Sequence, residues 1–256
     1  MIKRLVIVSG VLALAAAVAV AADAPASQPA GALSLRVDNP ESIRGAASWV
    51  VVVTVLAVAP AIAVLATCFT RVAVVLGLLR QALTTHQVPP NQVLLGLSLL
   101  ITFVVMTPVL SGVHADAVGP YMAGKIDAMG AVGAGKPHVR GFMIRQIEAA
   151  GNDEDVFLFI PKDLRAREDL KWADVPTPSL IAGYVISELK VAFMIGLRVF
   201  LPFVIVDMLV ATVLTSMGML MLPPVLISLP LKLLLFVLAD GWHLVAGTLL
   251  TSLGYA

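Results

Sequence analysis

Apolar and polar positions divide the chain into long blocks, unlike the short alternating runs of a soluble domain. The apolar blocks cover residues 5–20, 49–69, 93–110, 179–216 and 225–253, and one polar block covers 111–178. An apolar helix of about 20 residues spans a hydrocarbon core of about 30 Å. The pattern therefore predicts an all-α membrane protein, with a signal peptide plus four long apolar helical segments, arranged as hairpins with a small extracytoplasmic helical domain.

The first apolar block has the features of a secretory signal peptide. Two cations precede it, and small residues at 19–21 and 22–24 fit a cleavage site. An uncleaved anchor helix is the alternative interpretation. We expect a signal peptide over residues 1–22, followed by an extracytoplasmic linker over 23–48 whose start is rich in Pro, Ala and Gly.

The remaining blocks predict two helical hairpins on either side of one domain. Residues 49–110 form the first hairpin, 111–178 the extracytoplasmic helical domain, and 179–256 the second hairpin with a Met-rich turn. An N-terminus outside the cytoplasm places the connection over 70–92 inside, where its arginines agree with the positive-inside rule. Within the third apolar segment, Pro202 is the expected kink.

Composition excludes several classes of protein. Hydrophobic residues make up 59% of the chain and charged residues 13%, and the mean hydropathy is +0.98. Soluble domains carry about 25% charged residues, and disordered chains combine low hydrophobicity with high net charge. The net charge of +1 gives no reason to expect a nucleic-acid partner. The single cysteine permits neither an intrachain disulfide nor a Cys-based metal cluster.

The sequence carries none of the common catalytic or nucleotide-binding motifs. We find no G-x-x-x-x-G-K-[ST] loop, no H-E-x-x-H and no G-x-S-x-G. The four histidines lie in different segments without the spacing of metal ligands. We therefore expect no enzymatic activity, no metal site and no cofactor.

Ionisable residues interrupt the last two apolar segments. They are Glu188, Lys190, Arg198, Asp207, Lys232 and Asp240. A charge at the bilayer centre costs at least about 2.5 kcal/mol, so such residues usually face protein or water and pair with one another. Glu188 and Lys190 are two positions apart on a helix and point to different faces. We predict an assembly ion pair between Glu188 and Lys232, within or between subunits, and treat Lys190, Asp207 and Asp240 as other buried charges.

A methionine-rich break separates these two segments. Met217, Met219 and Met221 alternate around Gly218 and are followed by a Pro-Pro pair. Methionine is unbranched, flexible and apolar, so several of them at one level of an oligomer would make a soft hydrophobic ring that excludes water. The alternative interpretation is that they only fill the bend between two packed helices.

Several long runs of the sequence resemble one protein family. They are FTR at 69–71, GLLR at 77–80, PPNQVLLGL at 89–97, YVISELK at 184–190, MGM at 217–219, LPLKL at 229–233 and DGW at 240–242. The similarity covers about 45–110 and 178–253 with the segments in the same order. On these runs the chain resembles the FliP family of the flagellar export apparatus and its homologues in virulence type III secretion systems.

The resemblance implies an assembly. Members of the family form a homopentamer that joins FliQ-like and FliR-like membrane subunits in a helical ring, the entrance of the secretion channel for unfolded flagellar proteins. A larger export gate protein and a cytoplasmic ATPase supply the energy. The resemblance assigns the pore gasket to Met217, Met219, Leu220 and Met221, with leucine at 220 where the family often has methionine.

The resemblance also implies a location in the bacterial inner membrane, within the flagellar basal body. The mature N-terminus and residues 111–178 are then extracytoplasmic, which favours a flagellar over a virulence system. Two other functions are open to the sequence. One is a proton- or solute-coupled membrane transporter subunit with a relay through Glu188, Lys190, Asp207 and Lys232, although the internal repeats expected of transporters are not found. The other is a membrane hydrolase that uses the aspartates.

Overall fold

The computed structural model describes residues 53–54, 57, 61–62, 64–84, 89–165, 170–219 and 221–255. The chain divides into two units, 1–54 and 55–256, and the helices described below belong to the second. The signal peptide expected over 1–22, the linker over 23–48, ten of the 21 residues in the apolar segment at 49–69 and the gasket residue Leu220 lie outside the described residues.

From Phe69 onwards, nine α-helices occur among the described residues. They are α1 (Phe69–Ala82), α2 (Asn91–Val113), α3 (Gly119–Met122), α4 (Ala128–Ala150), α5 (Asp153–Phe157), α6 (Lys162–Arg165), α7 (Thr177–Ser216), α8 (Pro224–Leu238) and α9 (Gly241–Ser252). One π-helical turn, His114–Val118, joins α2 to α3. No strand is found among the described residues, which confirms the all-α class.

Two helices are long and apolar enough to cross a membrane. One is the continuous run Asn91–Met122 of 32 residues, and the other is α7 with 40 residues. The apolar segment at 225–253 was expected to be one helix, but α8 and α9 meet at a bend of 63°. The bend lies at Asp240, whose φ of 50° is left-handed and incompatible with a continuing α-helix. Counting the bent pair as one span gives three candidate spans.

Helix α7 is the central element because it packs against α1, α4, α5, α8 and α9. Leu180, Tyr184 and Ala192 on this helix are completely buried. Two glycines allow close approach of its neighbours. A Cβ on Gly183 would lie 2.6 Å from the Cα of Val156, and a Cβ on Gly196 would lie 2.2 Å from a methyl carbon of Leu78.

Helix α1 occupies part of the stretch over 70–92 that was expected to connect two apolar segments, so this connection is helical over much of its length. The side of the membrane on which it lies stays a prediction. The segment is helical because its apolar residues recur at helical spacing, and its Val72, Val75 and Leu79 are buried in the core. The helix lies alongside α7. The stop expected at the Pro-Pro pair is present, since Pro90 is extended and α2 begins at the next residue.

Candidate functional site

An arginine and a glutamate form a bidentate ion pair inside the helical bundle. The Nε of Arg71 on α1 donates to Oε2 of Glu188 on α7 at 2.9 Å, and its Nη2 donates to Oε1 at 2.5 Å. Both side chains are about 99% buried. Two parallel N–H···O bonds between ionised groups make the strongest geometry that this pair can adopt.

The same guanidinium also binds the end of a third helix. The Nη1 of Arg71 donates to the backbone carbonyl of Ser252 at 2.6 Å, at the last residue of α9. The carbonyls at a helix C-terminus have no partner within the helix and carry partial negative charge, so a cation stabilises them. Arg71 therefore ties α1, α7 and α9 together at one level of the bundle.

A second ion pair lies further along α7, towards the methionine turn. The Nζ of Lys232 on α8 donates to Oδ2 of Asp207 on α7 at 2.6 Å, and also to the carbonyl of Ala82 at the end of α1 at 3.3 Å. The other carboxylate oxygen of Asp207 accepts a hydrogen bond from the hydroxyl of Ser228 at 2.5 Å. Lys232 is 1% exposed, so its charge is compensated entirely inside the chain.

The expected ion pair between Glu188 and Lys232 is wrong within the chain. Each residue has a different partner, because Arg71 and Asp207 lie beside them. Glu188 and Asp207 are 19 positions apart on α7, which is about 28 Å along the helix axis. Neither Glu188 nor Lys232 reaches the surface of the chain, so neither is free to bind the other across a subunit contact.

The three charges expected to be buried are not alike. Lys190 has a 56% exposed side chain, and its Nζ donates to the buried Asp155 on α5 at 2.8 Å. Asp207 is 34% exposed and bound to Lys232. Asp240 is exposed, and its side chain caps no backbone group of α9. Only the arginine, glutamate and lysine of the two ion pairs are fully buried, so the expectation of burial is wrong for Lys190 and Asp240.

The methionine turn ends α7 through a Schellman motif. The amide of Gly218 donates to Thr215 and the amide of Met219 donates to Leu214, both at 3.0 Å. Gly218 has a φ of 75°, which only glycine adopts without strain. The turn exposes Met217 (67%), Met219 (41%) and Met221 (98%). These side chains therefore do not fill a bend between packed helices within the chain.

Apolar surface continues from the turn along the two helices that flank it, α7 and α8. The exposed large side chains on α7 include Leu201, Met208 and Leu209, and those on α8 include Leu226 and Leu238. Contiguous exposed apolar surface of this extent marks contact with lipid or with protein. No group of three or more His, Cys, Asp or Glu in the described residues is arranged to hold a metal ion.

Sequence reasoning missed Arg71, Asp155, Ser228 and Ser252 as partners of these charges. A signal for Arg71 was present, because it recurs at helical spacing with the buried Val75 and thus lies on the apolar face of α1. Glu188 shows the same signal on α7, between Tyr184 and Ala192. A positive charge on the apolar face of one helix and a negative charge on the apolar face of another therefore indicate a buried ion pair between the two helices.

Comparison with known proteins agrees with this architecture. The model described as the FliP family matches residues 52–249. The flagellar biosynthetic protein FliP of Bacillus subtilis (strain 168) is 44% identical over 215 residues, which cover 84% of this chain and 95% of the relative. The protein of that name from Pectobacterium carotovorum subsp. carotovorum is 45% identical, with 81% of each chain covered. The one from Borreliella burgdorferi is 41% identical, with 79% of each covered. The expected resemblance is thus confirmed, and the chain belongs to the FliP family.

Proposed function

We propose that the chain is the core pore subunit of the flagellar type III protein export gate in the bacterial inner membrane. It oligomerises, as a homopentamer, to form the entrance of the secretion channel for unfolded flagellar proteins. Its relatives at 40–45% identity are named flagellar biosynthetic proteins, which supports the flagellar system over a virulence system. Its long apolar helices support the location in a membrane.

The exposed methionine turn is the observation that carries the proposal. Flexible, apolar side chains lie at the tip of a helical hairpin and are covered by nothing in the described chain. Placed around a symmetry axis, they form a constriction that water and ions do not wet. Because methionine has three rotatable bonds and no branch, the same constriction yields to a passing polypeptide.

The two ion pairs give the hairpin the rigidity that such a constriction requires. Arg71 holds α7 to α1 and α9 at the level of Glu188. Lys232 holds α7 to α1 and α8 at the level of Asp207, nearer the methionine turn. The exposed apolar faces of α7 and α8 supply the surface for sibling copies and for FliQ-like and FliR-like subunits. A larger export gate protein delivers the unfolded substrates.

No observation favours the transporter. A relay through Glu188 and Asp207 would have to cross about 28 Å of α7. Both carboxylates are already bound by cations, and Lys190, the residue between them, is bound to Asp155. These contacts are those of structural pairs that hold helices together.

The test compares methionine variants of the assembled complex. Met219→Ala and Met221→Ala together widen and stiffen the ring, so a membrane-potential dye should report ion leakage when the complex is expressed. The matched control is Met129→Ala, a 78% exposed methionine on α4 and outside the apolar faces of α7 and α8, which should leave the membrane tight. Tight membranes and normal flagellar secretion in the double variant would remove the gasket role.

A further inference from the structure

A cleft of about 710 Å³ lies between α7 and α9. The two helices run antiparallel along it, and its lining includes Lys190, Met194 and Arg198 from α7, and His243, Gly247 and Thr251 from α9. Its residues recur at helical spacing, so one face of each helix forms each wall. The surface of the cleft is mostly apolar, and Arg198 and His243 are the last lining residues at one of its ends.

The two basic side chains at this end of the cleft, Arg198 and His243, have no partner within the described chain. Arg198 and His243 are exposed, and neither makes a hydrogen bond or ion pair with any other described residue. Lys190, at the opposite end, is already bound to Asp155. The cleft thus combines an apolar floor with a basic end that lacks an anion.

An exposed aspartate with exposed apolar neighbours lies close to this end of the cleft, at the bend between α8 and α9. Asp240 forms the bend between α8 and α9, three positions before His243 on the same helix. Its carboxylate is exposed and caps no helix, and it is flanked by the exposed side chains of Val237 (73%), Leu238 (77%) and Trp242 (43%). We name these four residues the Asp240 corner.

Helix α7 is longer than a single membrane span, so part of its surface is available to contact protein. The helix is about 60 Å long, which is twice the thickness of a hydrocarbon core. The run from the methionine turn at Met217 up to Arg198 already measures about 28 Å. The cleft lies beyond that run, where Phe193 and Leu197 are still 58% and 61% exposed.

We propose that this cleft receives the Asp240 corner of a second copy of the chain, with Asp240 of that copy binding Arg198 and His243. The inference rests on the proposed oligomerisation and assigns a contact to it. A contact between two different patches of one chain generates a ring when the rotation closes. Rotation about the ring axis preserves height, so the two patches must lie at one level. Asp240 and His243 meet this condition because they belong to the same helical turn.

Cysteine cross-linking of the full-length chain tests the contact. In a Cys68→Ala background, an Asp240→Cys chain is co-expressed with an Arg198→Cys chain and treated with a short bis-maleimide, whose spacer stands in for the length of the arginine side chain. The contact places the two thiols within reach of this cross-linker, so we expect a shift from the monomer to the dimer mass. The matched control pairs Asp240→Cys with Lys190→Cys, which lies about 12 Å further along the cleft and should stay monomeric.

A second pair of variants avoids any folding defect from cysteine at the left-handed position. Asparagine at position 240 tolerates that backbone conformation, so the variant is Asp240→Asn. Arg198→Gln removes the positive charge and keeps an unbranched polar side chain. Each single variant should lower the fraction of oligomer that remains when the sample is diluted in detergent. If the two residues contact each other, the double variant should lose no more oligomer than the more damaging single variant. If the losses of the two single variants add in the double variant, the contact is overturned.

The remaining outcomes separate this contact from the proposed function. An intact oligomer with no cross-link between 240 and 198 overturns the contact and leaves the pore subunit standing. A wild-type chain that stays monomeric overturns both. If no cross-link forms and a phospholipid that co-purifies with the wild-type chain is lost in Arg198→Gln, the cleft is a lipid site and the contact is overturned.

Discussion

Removing one partner of the ion pair between Arg71 and Glu188 should destabilise the chain far more than removing both. Glu188→Gln leaves the guanidinium without its counter-ion at a site that is about 99% buried. Arginine cannot lose its proton there. In this variant Nη1 of Arg71 still donates its hydrogen bond to the carbonyl of Ser252. The positive charge of the guanidinium, however, no longer has the negative carboxylate that accepts from Nε and Nη2 in the wild type.

The expected loss follows from the burial of the pair. Removing one member of a buried pair costs about 3–5 kcal/mol, which is about 100- to 4,000-fold in the folding equilibrium. Replacing both members, as in Arg71→Met with Glu188→Leu, leaves no buried charge and should come within about 1–2 kcal/mol of the wild type. The double variant still leaves the Ser252 carbonyl without its donor, which costs about 1 kcal/mol of that difference.

The assay is denaturant unfolding of the purified chain in detergent, followed by far-UV circular dichroism. Asp116→Asn is the matched control, because Asp116 binds His138 at 2.8 Å in a pair whose side chains are 62% and 31% exposed. An exposed pair contributes about 0–1 kcal/mol, so the control should unfold close to the wild type.

Two results would refute the reasoning. If Glu188→Gln unfolds like the Asp116→Asn control, the guanidinium is hydrated or bound elsewhere, and the pair does not hold α1 to α7. If the double variant is as unstable as Glu188→Gln, the loss comes from packing and not from an uncompensated charge.

Three further outcomes are expected from other parts of the chain. Lys232→Met should strand the partly buried carboxylate of Asp207, and adding Asp207→Leu should recover most of the loss, as measured by the same unfolding assay. Gly218→Ala should cost about 1–2 kcal/mol at its left-handed φ, whereas Gly77→Ala, where a Cβ meets nothing within 4 Å, should cost nothing. Mass spectrometry of the mature chain should find an N-terminus within 22–25, and an intact start would show that the leader is an uncleaved anchor.

The sequence determined the class of the molecule, its longest helix and the break that follows this helix. Apolar blocks of spanning length require helices, because a helix satisfies its own backbone hydrogen bonds away from water. The long helix expected from 179 to 216 is present as α7, and the break expected after it is the methionine turn. Runs of residues shared with relatives were enough to indicate the family.

Tertiary structure alone decided which charges meet. Helical spacing says which face a residue occupies, but not which helix that face will contact or at what height. Arg71 and Glu188 are 117 positions apart and meet because α1 packs along α7, while Lys232 meets Asp207 because a hairpin brings α8 back beside α7. The bend at Asp240 was likewise hidden, since the residue that makes it lies within an apolar block of spanning length. Each of these outcomes depends on contacts between segments that are distant in the sequence. The pattern of residues along the chain does not indicate which distant segments pack together.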